Sequence, residues 1–398
     1  MGLAVPRFVR VDDLENVTPR FRGDIQGLRA VAVVLVILAH AGVPGMAGGF
    51  LGVDVFFVIS GFVITGVLWR EQHRKIGDYL SWFYSRRVRR LIPAATVTLV
   101  ATVLGTYFLT RPHFDATLLG DVRWSAFFAE NIHLIRDSAG YFMAGVIPSP
   151  VTHFWSLAVE EQFYLLFPLV VFLSTRSSSK TVRIATLVTV LIAGLEASAF
   201  WSWHETLVNP VTAYYEPFTR FGELALGALV ALIPTVVTRR APTANSVLAF
   251  CAAVALGLAV WRLGPTSVFP GVLVWWPACA TAVLLAVGGR QIRGGLASVL
   301  AWRPIRYVGD ISYGLYLWHF PWLIVPALMT HPYTGARDRL IEVAGATLCS
   351  VMSFHLIEQP IRRSRSLDRD RLAVAILLIL CLAISLAVTI VVGRFVGA

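Results

Sequence analysis

Residues 372–392 read LAVAILLILCLAISLAVTIVV, twenty-one positions without a charged side chain. As a helix rising 1.5 Å per residue this stretch is about 31 Å long, the thickness of a bilayer's hydrocarbon core. Its apolar residues follow neither the 3.6 nor the 2 period that one-sided burial imposes, which is the pattern lipid selects. The runs AVAVVLVILA (30–39) and VLAFCAAVALGLAV (247–260) read the same way. The whole chain agrees: 57% of its 398 residues are hydrophobic and 14% charged, where soluble domains have roughly 45–50% and about 25%.

Apolar runs between charged or Pro/Gly-rich breaks predict an all-α polytopic membrane protein with eleven spanning helices. They are expected near residues 28–42, 50–69, 91–109, 154–173, 184–203, 217–233, 246–263, 271–288, 309–329, 340–357 and 372–396. The segment 118–135 is a twelfth candidate, but Asp121, Arg123, Glu130 and Asn131 make it costly in lipid, and it reads as interfacial or re-entrant. With a cytoplasmic N-terminus, eleven spans place 26 Lys and Arg in inner segments and 6 in outer ones, the asymmetry of the positive-inside rule. That topology leaves the C-terminus extracytoplasmic. It divides the chain into a cytoplasmic segment 1–27, a ten-helix transmembrane domain 28–363, and a basic linker with one additional helix over 364–398.

The same rule accounts for the net charge of +11 without nucleic acid. Cys251, Cys279, Cys349 and Cys381 each sit alone in an apolar run, so neither a disulfide nor a metal site is expected. Cleavage after the first helix is not expected, because the 28 residues before it are long for a signal n-region and carry Asp12, Asp13, Glu15 and Asp24. No repeat of solenoid or inverted-transporter type is visible.

Ionisable residues inside spanning helices are expensive and mark function by default. Arg29 and His40 are eleven residues apart, three turns plus about 20°, so they share a helix face with roughly 16 Å between them. Arg29 also reads as a snorkelling end residue, and His40 as a neutral core histidine. Arg86, Arg87, Arg89 and Arg90 precede Pro93. Pairs three or four apart share a face and suit phosphate oxygens, although such a cluster is equally a topology anchor. In HFWSLAVEEQFY (153–164), Glu160 shares its face with His153, Ser156 and Tyr164, whereas Glu161 lies with Phe154 and Leu157. Glu160 is therefore assigned to a polar cavity and Glu161 to a structural pair. Asp54 reads as a partner for Arg220, a helix cap or a catalytic carboxylate. Tyr316 and His319 sit in the aromatic run from Tyr313, and Glu358 is expected to pair locally with an arginine.

Together these residues carry a resemblance. Arg29-x10-His40, GVDVFFVISGF (52–62), Arg87-x-x-Arg90 before Pro93, SLAVEEQFY (156–164) and YGLYLWH (313–319) are similar to the motifs of the membrane acyltransferase-3 family. The likeness runs from about Phe21 to Arg363. It implies a membrane enzyme that transfers acyl groups, often acetyl, from cytoplasmic acyl-CoA to carbohydrate or natural-product hydroxyls. It also implies activity roles for His40 and Glu160, and coenzyme roles for Arg29, Arg87 and Arg90. Many relatives continue into an extracytoplasmic SGNH-type domain, whereas this sequence stops at Ala398. Either the chain works alone or such a domain lies outside it.

The expected mechanism follows. Arg29, Arg86, Arg87 and Arg90 grip the phosphates of acyl-CoA, which is a substrate rather than a resident cofactor. The thioester reaches His40 through a passage, and His40 acts as general base, oriented first by Glu160 or second by Asp54. An acyl-histidine intermediate is also compatible. Ser156, Tyr164, Tyr316 and His319 are further cavity candidates. The partners expected are the bilayer of the plasma membrane and an envelope glycan or glycolipid acceptor. The alternatives are acylation of a small natural product such as a macrolide, or a flippase without acyl chemistry.

Overall fold

The computed structural model describes residues 22–110, 114–137, 147–233, 242–288, 294–329 and 335–397, so most of the expected segment 1–27 lies outside the described residues. Among those residues the fold is helical throughout. The helices are α1 (Gly23–His40), α2 (Gly52–Glu71), α3 (Ile76–Thr110), α4 (Thr117–Ala126), α5 (Glu130–Arg136), α6 (Phe154–Ser174), α7 (Lys180–Val208), α8 (Pro210–Tyr215) and α9 (Pro217–Ala231). There follow α10 (Pro242–Arg262), α11 (Trp275–Val287), α12 (Leu296–Leu300), α13 (Arg303–Asp310), α14 (Ser312–Ile324), α15 (Ala336–Ser353), α16 (Gln359–Arg363), α17 (Arg365–Arg369) and α18 (Arg371–Val396).

Each of the eleven expected spans falls on a helix, and eight of the helical stretches are long and apolar enough to cross a membrane. Three are shorter than one crossing: α9, α11 and α14 have 15, 13 and 13 residues. For α14 the cause is local. Pro321 lies inside it and Pro326 just beyond, each removing an amide donor, and the expected 309–329 run is split into α13, α14 and a short 3-10 turn. In the opposite sense, α3 starts fifteen residues before the expected 91. Its first turns are polar, and they are held by contacts that hydropathy does not register. Arg371 donates to Asp78 at 2.7 Å, and the Tyr84 hydroxyl to the Leu165 carbonyl at 2.7 Å.

The segment 118–135 does not form one long helix. α4 and α5 are separated at Phe127–Ala129, where Phe128 takes the left-handed conformation at φ +52°. The Phe128 carbonyl accepts from the Gln162 amide at 3.1 Å, and Gln162 and Asn131 exchange amide hydrogen bonds at 2.9 and 3.3 Å. This amide pair pins the α4–α5 hairpin to α6. Burial raises the carboxyls of Asp121 and Glu130, which find partners in His133 at 3.0 Å and Ser125 at 3.2 Å.

Helix α2 runs through the middle of the bundle, against α1, α6, α9 and α11. It meets α9 at backbone contact. A Cβ on Gly61 would lie 1.9 Å from the Leu224 carbonyl oxygen, and one on Gly227 would lie 1.9 Å from that of Val58. Small residues at a membrane helix crossing allow this approach. Gly61→Ala or Gly227→Ala is therefore expected to force the helices apart and to cost about 1–3 kcal/mol. A lowered melting temperature of the purified protein checks this; an unchanged one would show that the crossing has slack.

Candidate active site

The polar residues of α1, α2, α3, α6 and α14 converge on one cavity of about 90 Å³, lined by Arg29, Arg87, Arg90, Ser60, Glu160, Tyr164, Ser156 and Tyr316 among others. Its apolar wall is mostly α2, with Val53, Phe56, Phe57, Ile59, Val63 and Ile64. Ligand sites commonly have this make-up, apolar walls with a few converging polar groups.

Helical phase sorts the four arginines of α3. Arg87 lies over the Tyr164 ring, with Cζ 3.5 Å from its centroid, and Arg90 faces the same cavity. Arg89 turns the other way, donating to Asp368 at 2.6 Å and to the Ser364 carbonyl at 3.3 Å. Arg86 stacks on Trp82 at 4.9 Å and is exposed, so its expected place among the phosphate-binding residues is corrected. One residue's difference in phase decides it, because Arg87 and Arg90 share a face that Arg86 does not line.

Glu160 accepts short hydrogen bonds from the Ser60 and Tyr164 hydroxyls, and Tyr164 is the ring beneath Arg87. The glutamate thus belongs to the arginine end and does not bond His40, contrary to the expected orienting role. Asp54, the second choice as orienter of His40, is engaged elsewhere. It accepts from Arg220 at 2.6 Å, while Glu223 lies 3.4 Å from the same guanidinium. All three side chains are at most 1% exposed. The rings of Phe57, Trp155, Tyr214 and Phe269 surround the guanidinium at 5.3–5.8 Å. Asp54 is a packing partner, the first of its three sequence readings.

His40 instead meets His319, with Nδ1 3.1 Å from Nε2 and the rings stacked at 5.3 Å. His319 is fully buried, and its Nδ1 lies 2.7 Å from the Tyr316 carbonyl and 3.1 Å from that of Leu315. Carbonyls only accept, so the proton of neutral His319 sits on Nδ1 and Nε2 is an acceptor. His40 must then donate from Nδ1, which leaves a lone pair on its Nε2. His40 is exposed at the end of α1. A third histidine, His153, donates from Nε2 to the Leu317 carbonyl at 3.1 Å and packs 5.5 Å from His319. The phase argument placed His153 on the face of Glu160, but nothing in sequence announces that α1, α6 and α14 bring three imidazoles together.

Tyr316 joins the two ends. It lines the cavity, donates to the His153 carbonyl at 3.0 Å, bonds Ser156, and packs against His153 and His319 at 5.6 and 5.4 Å. Phe56 stands edge-on to it at 6.3 Å. The cavity around Arg29 does not include His40, so the continuous passage expected between them is not seen in this cavity.

A sequence profile described as an acyltransferase domain matches residues 22–394. This chain belongs to the acyltransferase-3 family. Its curated relatives include the peptidoglycan O-acetyltransferase OatA of Listeria monocytogenes, 34% identical over 360 residues, which are 85% of this chain and 56% of that protein. The O-acetyltransferase OatA of Staphylococcus aureus is 32% identical over 357 residues, 87% of this chain and 58% of that one. The acyltransferase-3 chain thus spans somewhat over half the length of these relatives. No solved structure matches it.

Proposed function

We propose that this chain is a plasma-membrane O-acyltransferase that moves an acetyl group from cytoplasmic acyl-CoA to a hydroxyl of an extracytoplasmic envelope glycan. Peptidoglycan, for which the Listeria relative is named, is the first candidate. The observation that carries the reading is the pairing of a guanidinium cavity at one end of α1 with an imidazole base at the other. In this reading all eleven expected segments cross, the short helices α9, α11 and α14 together with their flanking residues, with the N-terminus inside and the C-terminus outside, so Arg29 faces the cytoplasm and His40 the exterior.

Arg29, Arg87 and Arg90 hold the donor's phosphates through charge-assisted hydrogen bonds. Glu160, with Ser60 and Tyr164, keeps Arg87 over the tyrosine ring and so shapes the donor site. The pantetheine arm, whose reach is comparable to the roughly 16 Å between Arg29 and His40 along α1, passes Phe56 and Tyr316. The acceptor's O–H proton goes to His40 Nε2 as its oxygen attacks the thioester carbonyl. The C–S bond then breaks, and the proton held by His40 passes to the leaving CoA thiolate, which restores the neutral imidazole. His319 fixes the tautomer and orientation of His40 by accepting from Nδ1–H, the part usually played by a carboxylate.

The test is reconstitution. Proteoliposomes holding the purified chain are given acetyl-CoA on one side and a peptidoglycan oligosaccharide on the other, and acetylation is read by mass spectrometry. Glycan movement without acetyl transfer would sink the reading in favour of a flippase; acetylation of a macrolide but no glycan would move it to small-molecule modification. Within it, Arg87→Ala and Arg90→Ala are each expected to raise the Kd for coenzyme A about 10- to 100-fold, one lost charged hydrogen bond being worth about 1.5–3 kcal/mol. Isothermal titration checks this, and unchanged binding would remove the phosphate role.

A further inference from the structure

Helix α14 carries Pro321 close to the residues that meet His40. In an α-helix the Leu317 carbonyl would accept from the amide of residue 321, but proline has no N–H to give. The missing donor comes from another helix. His153, at the N-cap of α6, brings its Nε2 to 3.1 Å from the Leu317 carbonyl, and because a carbonyl only accepts, that nitrogen carries the proton. His153 also grips the same turn through its backbone, its own carbonyl accepting the Tyr316 hydroxyl at 3.0 Å. The turn held in this way is the one that sets His319, whose Nδ1 lies 2.7 Å from the Tyr316 carbonyl. Both imidazoles are buried, and the Phe320 ring stands 5.0 Å from that of His153 and 5.0 Å from that of His40.

We infer that His153 is a positioning residue for acyl transfer: by supplying the hydrogen bond that Pro321 withholds, it ties α14 to α6 and keeps His319 in register with His40. The inference deepens the base assignment proposed above and rests on it. Helices kink where a proline interrupts the ladder, and the contact between His40 and His319 is one 3.1 Å hydrogen bond between side chains of two helices. A kink that moved His319 away would leave His40 free to turn and to change tautomer. Misplacing a catalytic group by about 1 Å can cost roughly 10²-fold in rate, so this tie bears on the chemistry as well as on the fold. The donor cavity is spared, because His153 does not line it.

The full chain in nanodiscs tests this by single-turnover transfer from acetyl-CoA to a peptidoglycan oligosaccharide, beside calorimetric titration of coenzyme A and thermal melts. His153→Leu is expected to slow transfer about tenfold, as a misaligned base would, with the Kd for coenzyme A moved less than about twofold. His153→Gln, whose amide nitrogen reaches the Nε2 position and can donate, should bring transfer back to within about threefold of the parent. Adding Pro321→Ala to His153→Leu gives the Leu317 carbonyl a donor within α14 but no tie to α6, so the double variant should regain melting temperature without regaining rate. It also serves where His153→Leu alone does not fold. Recovery of rate along with stability would reduce His153 to the filler of one carbonyl and overturn the inference. So would a glutamine variant no faster than the leucine one, parental rate in His153→Leu, or coenzyme A binding lost in step with transfer. Normal turnover in His40→Ala, run in parallel, would instead overturn the base itself, and this inference with it.

Discussion

Replacing His40 with alanine is expected to lower acyl transfer by about 10²–10⁴-fold, the usual worth of a positioned general base, while coenzyme A binding stays within a factor of two. The separation follows from geometry. Tyr316 lines the guanidinium cavity and His40 does not; His40 is bonded to His319 and exposed at the end of α1. His319→Phe should give a smaller loss, about tenfold, since it removes the acceptor that sets the His40 tautomer but leaves the base present. Single-turnover assays beside calorimetric titration of coenzyme A distinguish the outcomes. Normal turnover in His40→Ala ends the base assignment, and loss of coenzyme A binding in it would mean that His40 belongs to the donor site.

The second large effect is on stability. Arg220→Leu leaves Asp54 and Glu223 as two buried carboxylates with no cation between them, and breaking a buried pair of this kind costs about 3–5 kcal/mol. The variant is expected to melt well below the parent or to fail to accumulate. Neutralising all three groups together, Asp54→Asn, Arg220→Met and Glu223→Gln, should recover most of that loss, because matched apolar or neutral replacements of buried ion clusters are often close to neutral. Thermal melts in detergent report the stability. Turnover of the triple variant reports the chemistry, and a folded but inactive triple variant would return Asp54 to the reaction.

What could be read in the sequence follows a physical division. Lipid acts on composition over some twenty residues at once, so the long runs at 30–39, 247–260 and 372–392 announce their helices without reference to neighbours. Asp121, Arg123, Glu130 and Asn131 likewise marked 118–135 as no simple span, and it forms two short helices rather than one long one. Helix ends set by tertiary contact were not legible. The polar start of α3 depends on Arg371 and Leu165, far away in sequence. In the site, single-helix phase correctly grouped Glu160 with Tyr164, and Arg87 with Arg90. It could not say which helix each face meets. The expectation that Glu160 orients His40 failed because α2 brings Ser60 to the glutamate while α14 brings His319 to the imidazole. Asp54 was read with three roles open, and the structure selects the first of them, the pairing with Arg220 166 residues away.

The glycine crossing of α2 and α9 also limits how the molecule can admit its substrate. With carbonyl oxygens sitting where Cβ atoms would be at Gly61 and Gly227, α2 is already at closest approach to that neighbour, and drawing it back further would drive the two backbones into one another. The wall that carries Phe56 is consequently a fixed jamb. Any doorway beside it has to swing on the Phe56 ring itself or on α14, which is bounded by a break at Ile311 and carries Pro321 near its C-terminal end. Both adjoin Tyr316, whose hydroxyl also braces His153, so a movement that admits substrate there would disturb the histidine end as well.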